Sequence, residues 1–437
     1  MHKLQNIEAS QAWHKGSAES LRDANGTLYG GWKTAFAALI GMTFGPSCVI
    51  VFCFGTFVMP LENEFHWGVG AISFGATLLT LMIVLMSIVA GRISDRFGAR
   101  TLVLWSIPLF GISVMSLSLL NDSLKLFYTG LIVAAALGVG VWPVTYNKIT
   151  SNWFDRHLGL SLGIANTGIG IGAALLPALA AYIAQQYGWR QAYLVLGALA
   201  IVIPWPLAWA YLKEAPRTAD GSALLLVAPC PVEKSLSEAL KDRQLWLVLI
   251  GFFALGAASS SVIVHQVRIL VDTGMPMPRA VAMQSVLGVA MIVARLCTGW
   301  LLDRLHVAVI MTALCIAAAV ALILLSMGAP FGTAALCACL IGFVVGAEFD
   351  VLGFLIPRYF GRKAFGSIYA LVFAVFQVAA ALMISVLGWI RTLQGSYFVG
   401  LLIIAGMLML AATVFVFMSS YRNPVKQSPH STVSIAD

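Results

Sequence analysis

GRISDRFGAR, residues 91–100, is the most informative stretch of this chain because part of it occurs twice. Its first six residues have a counterpart in GWLLDR at 299–304, which begins 208 residues later. A second pair, WFDR at 153–156 and YFGR at 359–362, repeats at an offset of 206 residues. Two pairs at nearly one offset indicate a duplicated unit of about 200 residues in the chain.

The composition around these motifs is strongly apolar. Of the 437 residues, 60% are hydrophobic and 10% are charged, whereas about 25% of the residues in a soluble domain are charged. The formal net charge is +8, but the basic residues form short clusters between apolar runs. The composition excludes a disordered chain and a secreted disulfide scaffold, and we expect no nucleic-acid partner. It predicts a protein whose surroundings are the lipid bilayer.

Twelve apolar runs are long enough to cross a membrane, for which a helix needs about 20 residues. They lie roughly at 33–59, 69–90, 101–120, 125–150, 158–185, 191–212, 244–270, 279–302, 307–328, 331–356, 366–391 and 396–419. The resulting organisation is an N-terminal tail (1–30), a six-helix bundle (31–213), a linker (214–243), a second six-helix bundle (244–420) and a C-terminal tail (421–437).

The orientation follows from the placement of Lys and Arg, which concentrate on the cytoplasmic side of membrane proteins. With the N-terminus inside, twenty of these residues lie on the cytoplasmic side and four on the opposite side. We therefore expect a multi-pass protein of the inner (plasma) membrane with both termini in the cytoplasm. Because six is even, the halves insert in the same orientation, as parallel repeats around a central cavity. The predicted fold is all-α, with 12 transmembrane helices.

Residues 91–100 resemble the loop signature of the major facilitator superfamily, G-x-x-x-D-R-x-G-x-R, at every fixed position. The resemblance implies a transporter fold with a gate on the cytoplasmic side. We expect Gly91 to permit close helix approach and Asp95 to cap or pair at a helix terminus. Arg96 and Arg100 are expected to bridge to neighbouring helices and hold the gate shut. The competing interpretation is ordinary positive-inside charge.

The second copy extends this gate, because Asp303 and Arg304 repeat the acid–arginine pair after span 8. The start of span 5 resembles a signature of the monocarboxylate porter family, which moves small carboxylates, often with a proton. It departs from that family at His157 and Leu158, where basic residues are usual. The start of span 1 resembles the family's other signature, with Tyr29 where an acid is expected. The whole chain is similar to bacterial members of this group and to oxalate/formate-type antiporters. The matching residues of span 5 are Phe154, Leu160, Gly163, Ala165, Gly168 and Gly172.

Ionisable residues inside spans are costly and therefore mark candidate functional sites. Arg295 lies in span 8, and the resemblance implies that it holds the substrate carboxylate by bidentate hydrogen bonds. Many relatives carry an acid four residues earlier, where this chain has Met291. Glu348 or Asp350 is the predicted replacement as proton carrier. They lie about 200° apart around a helix, so both cannot face the cavity squarely. The alternative is a structural pair that joins spans 8 and 10.

Further polar residues are candidates for the substrate site. Tyr146, Asn147 and Lys148 lie near the end of span 4, where Lys148 either adds a second cation or snorkels to the interface. His265, near the outer end of span 7, either attracts anions or anchors the helix in the interface. Polar residues within spans either line the cavity or form interhelical hydrogen bonds; they are Asn166, Gln284, Tyr369 and Gln377.

These features predict a secondary active transporter that carries a small organic carboxylate with a proton by alternating access, working as a monomer. An organic anion exchanger is the first alternative, since Arg295 and Lys148 would supply two cations. A metabolite or drug exporter and a sensor without transport are the others. No P-loop is found, and the seven cysteines lack metal-ligand spacing. We therefore expect no metal, no cofactor and no enzymatic activity.

Overall fold

The computed structural model describes residues 30–67, 69–154, 157–214, 233–327 and 331–418. Over these residues the chain is helical without strands, and twelve helices are long and apolar enough to cross a membrane. The predicted all-α fold with twelve spans is confirmed. The two predicted tails, apart from Gly30, and most of the predicted linker lie outside the described residues.

We number the spanning helices α1–α12 in chain order. The first half contains α1 (Gly30–Phe65), α2 (Val69–Phe97), α3 (Ala99–Leu119), α4 (Leu124–Ser151), α5 (Leu158–Tyr187) and α6 (Trp189–Tyr211). The second half contains α7 (Arg243–Asp272), α8 (Met277–Leu302), α9 (Val307–Ser326), α10 (Phe331–Tyr359), α11 (Phe365–Gln394) and α12 (Phe398–Val416). A short helix, Leu236–Ala239, precedes α7.

The spans α1 and α4 contain local irregularities. In α1, a π-helical turn occupies Ser47–Phe52. In α4, a 3-10 turn at Gly138–Val141 precedes Pro143, which begins a new helical segment, Pro143–Ser151. Proline suits a helix start because it lacks the N–H that a helix interior would need. All nine residues of this segment are buried, so its polar side chains face other helices.

The predicted loop at 91–100 is mostly helical, which corrects the expectation that span 2 ends near residue 90. Helix α2 continues to Phe97, and Gly98 makes the turn into α3 with a φ of 90°. This backbone conformation is left-handed and favours glycine. The side chain of Glu214 closes the turn, since its Oε1 accepts a hydrogen bond from the Arg100 backbone N–H at 3.2 Å. We call the end of the bundle with this turn the motif end, and the opposite end the far end.

Glycine pairs bring the two halves into contact at the motif end. A Cβ on Gly91 of α2 would lie 2.4 Å from the carbonyl oxygen of Gly366 in α11. A Cβ on Gly299 of α8 would lie 2.6 Å from that of Gly159 in α5. Gly159 and Gly366 are 207 residues apart, so both partners of each contact belong to the duplication. The same backbone approach therefore occurs twice, in the α2–α11 and α5–α8 pairs.

We predict that Gly299→Ala hinders closure of the motif end, because its new methyl group meets a backbone oxygen. Overpacking of this kind costs about 1–3 kcal/mol, which shifts a two-state equilibrium about 5- to 150-fold. Distances between spin labels at Phe97 and Lys363, on opposite halves, measure the open fraction.

Gly288→Ala is the matched control, since a Cβ at this position of α8 has no neighbouring atom within 4 Å. It is expected to leave the distance distribution unchanged. Equal distributions in the two variants would contradict the role of the glycine contact.

Candidate functional site

A buried ion pair lies where the two halves meet. Arg295 of α8 exposes 1% of its surface and Asp350 of α10 exposes none. Arg295 Nη1 lies 3.8 Å from Asp350 Oδ1, which is an ion pair but too long for a hydrogen bond. Nε and Nη1 of Arg295 and Oδ2 of Asp350 have no hydrogen-bond partner. Unsatisfied buried groups are costly, so this guanidinium has donors available for an anionic ligand.

The first half contributes two asparagines to the same place. Asn166 Nδ2 of α5 lies 2.7 Å from Asp350 Oδ1 and 3.1 Å from Asn147 Oδ1 of α4. Asn147 Nδ2 in turn donates to the Tyr369 hydroxyl of α11 at 3.1 Å. Asn166, Asn147 and Tyr369 are fully buried. We call Arg295, Asp350, Asn166, Asn147 and Tyr369 the central polar chain; it crosses between the halves twice.

Tyr146 places a second unused polar group in the interior. Its side chain is fully buried, and its hydroxyl has no hydrogen-bond partner. A Cβ on Gly41 of α1 would lie 2.2 Å from this hydroxyl, so the ring points at α1 where that helix lacks a side chain. A buried hydroxyl without a partner is an exception among buried polar groups, so Tyr146 has hydrogen-bonding capacity that the protein itself does not use.

The two acids of α10 face different helices. Glu348 accepts a hydrogen bond from Ser259 Oγ of α7 at 3.0 Å, within the second half. Asp350 instead faces Arg295 and Asn166. The separation follows from helical geometry, in which two residues span about 200°. Sequence reasoning did not single out Ser259, which lies in a run of three serines without a distinguishing signal.

Lys148 lies at the motif end, where it pairs with Asp95, and not in the central polar chain. Its Nζ is 2.6 Å from Asp95 Oδ1 of α2. One residue further along α4 than Asn147, it projects about 100° away around the helix. The other contacts of Asp95 reach the second half, where its carboxylate accepts from the N–H groups of Gly366 (3.0 Å) and Ser367 (2.9 Å).

Asp303 makes the equivalent contact from the second half. Its oxygens accept hydrogen bonds from the N–H groups of Gly159 (2.7 Å) and Leu160 (3.1 Å) at the start of α5. Each half thus presents an aspartate to the first turn of a helix in the other half. The first N–H groups of a helix lack partners within it, and a carboxylate both caps them and complements the helix dipole.

The predicted gating arginines contact their own half in the described part of the chain. Arg100 donates to the carbonyl oxygens of Leu212 (2.7 Å) and Trp209 (3.1 Å), at the end of α6. The guanidinium groups of Arg96 and Arg304 lie over the rings of Phe97 and Trp300, respectively. Arg100 therefore joins α3 to the end of α6 within the first half, and this contact does not cross between the halves.

Arg362 supplies an arginine contact that does cross between the halves. It donates to the carbonyl oxygens of Ser151 (3.2 Å) and Phe154 (3.3 Å) at the end of α4. The YFGR repeat was the available sequence signal for this residue.

His265 is held towards the far end by neighbours in the second half. Its Nδ1 lies 3.2 Å from the Tyr397 hydroxyl and its Nε2 lies 3.1 Å from the Ile384 carbonyl oxygen. The structure therefore does not bring His265 into the central polar chain. The side chain of Gln284 lies outside the described residues.

Comparison with known proteins gives consistent results. A family model described as Major Facilitator Superfamily matches residues 34–384. Monocarboxylate transporter 12 of Xenopus laevis is 23% identical over 434 residues, covering 92% of this chain and 92% of that protein. The crystal structure of the transporter FucP in the outward conformation has a TM-score of 0.69 at 17% identity, covering 89% of this chain and 100% of that one. The structure of the proton:xylose symporter XylE has a TM-score of 0.67 at 16% identity, covering 90% and 96%.

We predict that Asp95→Ala opens the motif end, because it uncaps α11 and leaves Lys148 without this counter-charge. Loss of a helix cap costs about 0.5–2 kcal/mol, so the open fraction should rise about 2- to 30-fold. The readout is the alkylation rate of a cysteine placed at Ser151, which is fully buried in the closed gate.

Asp272→Ala serves as the control, because Asp272 pairs with Arg268 and Arg391 at the far end. In this control, the cysteine at position 151 should be alkylated at the same rate as in the protein that keeps both Asp95 and Asp272. An Asp95→Ala rate no higher than the Asp272→Ala rate would refute the capping role.

Proposed function

The chain belongs to the Major Facilitator Superfamily and is a membrane transporter, and on this premise we propose that it carries a small organic carboxylate together with a proton. The observation that carries the proposal is Arg295, a buried permanent cation at the interface of the halves with two nitrogens free of hydrogen bonds. A carboxylate matches this fork of donors in charge and in geometry. The name of the Xenopus relative, a monocarboxylate transporter, supports the same substrate class.

The substrate carboxylate binds Arg295, and the Tyr146 hydroxyl is the second donor that we assign to it. Both groups are buried in the interior and have unused hydrogen-bonding capacity. The remaining site residues, Asn147 and Tyr369, bond one another in this conformation and become available when the halves part. The closeness of the helices favours a small substrate.

Charge balance assigns the proton to Asp350. In the empty site, the positive charge of Arg295 and the negative charge of Asp350 cancel when the other buried acid, Glu348, is protonated. A bound carboxylate adds one negative charge, and an uncompensated buried charge is expensive. Protonation of Asp350 restores neutrality. The empty site and the site with both carboxylate and proton are therefore the two electrically neutral states, and joint binding of the two is the condition for symport.

The contacts of Lys148 favour symport over anion exchange. An exchanger for dicarboxylates would use a second cation beside Arg295, but Lys148 is engaged by Asp95 at the gate. We assign the motif end to the cytoplasmic face of the inner membrane, because twenty Lys and Arg residues lie on that side in the sequence and four on the other. Since each chain contains a complete site between its halves, we propose a functional monomer.

The test is uptake of radiolabelled lactate, pyruvate, benzoate and succinate into proteoliposomes with an inward proton gradient. We predict gradient-driven uptake of at least one of these acids. Arg295→Ala should reduce it about 10- to 150-fold, since hydrogen bonds to a charged group contribute about 1.5–3 kcal/mol. Asp350→Asn should lose the response to the gradient but retain exchange of labelled for unlabelled substrate.

Glu348→Gln is the matched control, because it alters the neighbouring acid while keeping an acceptor for Ser259. It should keep the gradient response. Loss of that response in Glu348→Gln, with its retention in Asp350→Asn, would assign the proton to Glu348. Uptake that survives Arg295→Ala would instead favour the exporter.

A further inference from the structure

Asn166 of the first half donates a hydrogen bond to Asp350, a buried acid of the second half. Its Nδ2 lies within reach of three acceptors, Asp350 Oδ1 (2.7 Å), Leu162 O (3.0 Å) and Asn147 Oδ1 (3.1 Å). An amide nitrogen has two protons, so it satisfies two of the three at a time. An ionised carboxylate is the strongest of these acceptors, because hydrogen bonds to a charge are roughly twice as strong as neutral ones.

The contact between Asn166 and Asp350 has to break when the motif end opens. It joins α5 of one half to α10 of the other. Along α5 it lies further from the motif end than the glycine contact of α5 with α8. When these helices separate, the Asn166 amide and the Asp350 carboxyl lose the hydrogen bond between them. The cost of that separation is greater when Asp350 is ionised than when it is neutral.

We propose that Asn166 senses the ionisation of Asp350 and couples it to the gate. Ionised Asp350 holds the halves together at Asn166, and proton uptake weakens this hold so that the motif end opens. The inference rests on the proposed function in taking Asp350 as the proton site, and it adds a positioning residue to the coupling step. Asn166 itself does not titrate, so its role is to transmit the change between the halves.

The neighbours of Asp350 include one permanent cation, one tyrosine and one further acid. Arg295 faces it from α8 and stays charged, while Tyr369 approaches from α11 and is bonded to Asn147. On α10 itself, Glu348 is the second acid, and it faces Ser259. The neighbour from α5, Asn166, is neutral. Glu348→Gln therefore separates a response of Asp350 from one of Glu348.

The test measures distances between spin labels at Phe97 and Lys363 without substrate, in mildly alkaline and mildly acidic solution. The full-length protein should open at the motif end on acidification. Asn166→Ala should be open to the same extent in both solutions, with an open fraction about tenfold above the unsubstituted protein in alkaline solution. Glu348→Gln should respond as the unsubstituted protein does.

Thr167→Val is the matched control on the same helix. The Thr167 hydroxyl donates to the Gly163 carbonyl oxygen of α5 itself at 2.7 Å, so the substitution removes a buried hydrogen bond that lies within α5. It should preserve the response to acid. A normal response in Asn166→Ala, or no response in the unsubstituted protein, would overturn the proposal.

Asn166→Asp gives a second test that keeps the side-chain shape. Two carboxylates at this distance share one proton at moderate pH, because like charges disfavour joint ionisation. Loss of that proton in alkaline solution makes them repel. This variant should therefore open as the pH rises, the reverse of the unsubstituted protein, and an unreversed response would contradict the inference.

The outcome is separable from that of the proposed function. An acid response that depends on Asn166, found together with uptake that ignores the proton gradient, would leave the sensor in place and refute symport. Gradient-driven uptake with an acid response that is independent of Asn166 would support symport and refute the sensor.

Discussion

The buried positive charge of Arg295 is the constraint on which this account depends. An arginine does not lose its proton inside a protein, so every stable state of the interface has to bring a negative group to it. In the closed structure that group is Asp350, at a distance that leaves two guanidinium nitrogens without hydrogen bonds. The arrangement is incompletely bonded, and in the proposed function a carboxylate accompanied by a proton keeps it neutral and supplies the missing hydrogen bonds.

The contacts at the motif end and those of the central polar chain both join the two halves, but they differ in kind. At the motif end, contact rests on backbone features, namely the glycine pairs and the helix starts capped by Asp95 and Asp303. These contacts occur in two copies and do not involve the proposed substrate. The central polar chain adds side chains whose interactions change with charge. In this account, the contacts at the motif end stabilise the closed state, and the charge of the central polar chain determines how stable that state is.

Features that depend on local sequence were predictable, whereas contacts between distant helices were not. The twelve spans follow from the length of apolar runs, and the resemblance to a carboxylate porter implied a role for Arg295. The partner of Lys148 lies 53 residues away on α2, and no local pattern indicates it. Helical geometry separates Glu348 from Asp350, but only packing shows which faces Arg295. The correspondence between Gly159 and Gly366 was detectable from the duplication, because these residues lie 207 positions apart.

The most direct test of the central claim measures proton uptake when lactate, pyruvate, benzoate or succinate binds to the purified protein, with a pH indicator in weakly buffered detergent solution. Linkage requires that a group protonated on binding takes its proton from solution. The account predicts about one proton per bound monocarboxylate, and none in Asp350→Asn. Saturable binding to the unsubstituted protein with no proton uptake would contradict it.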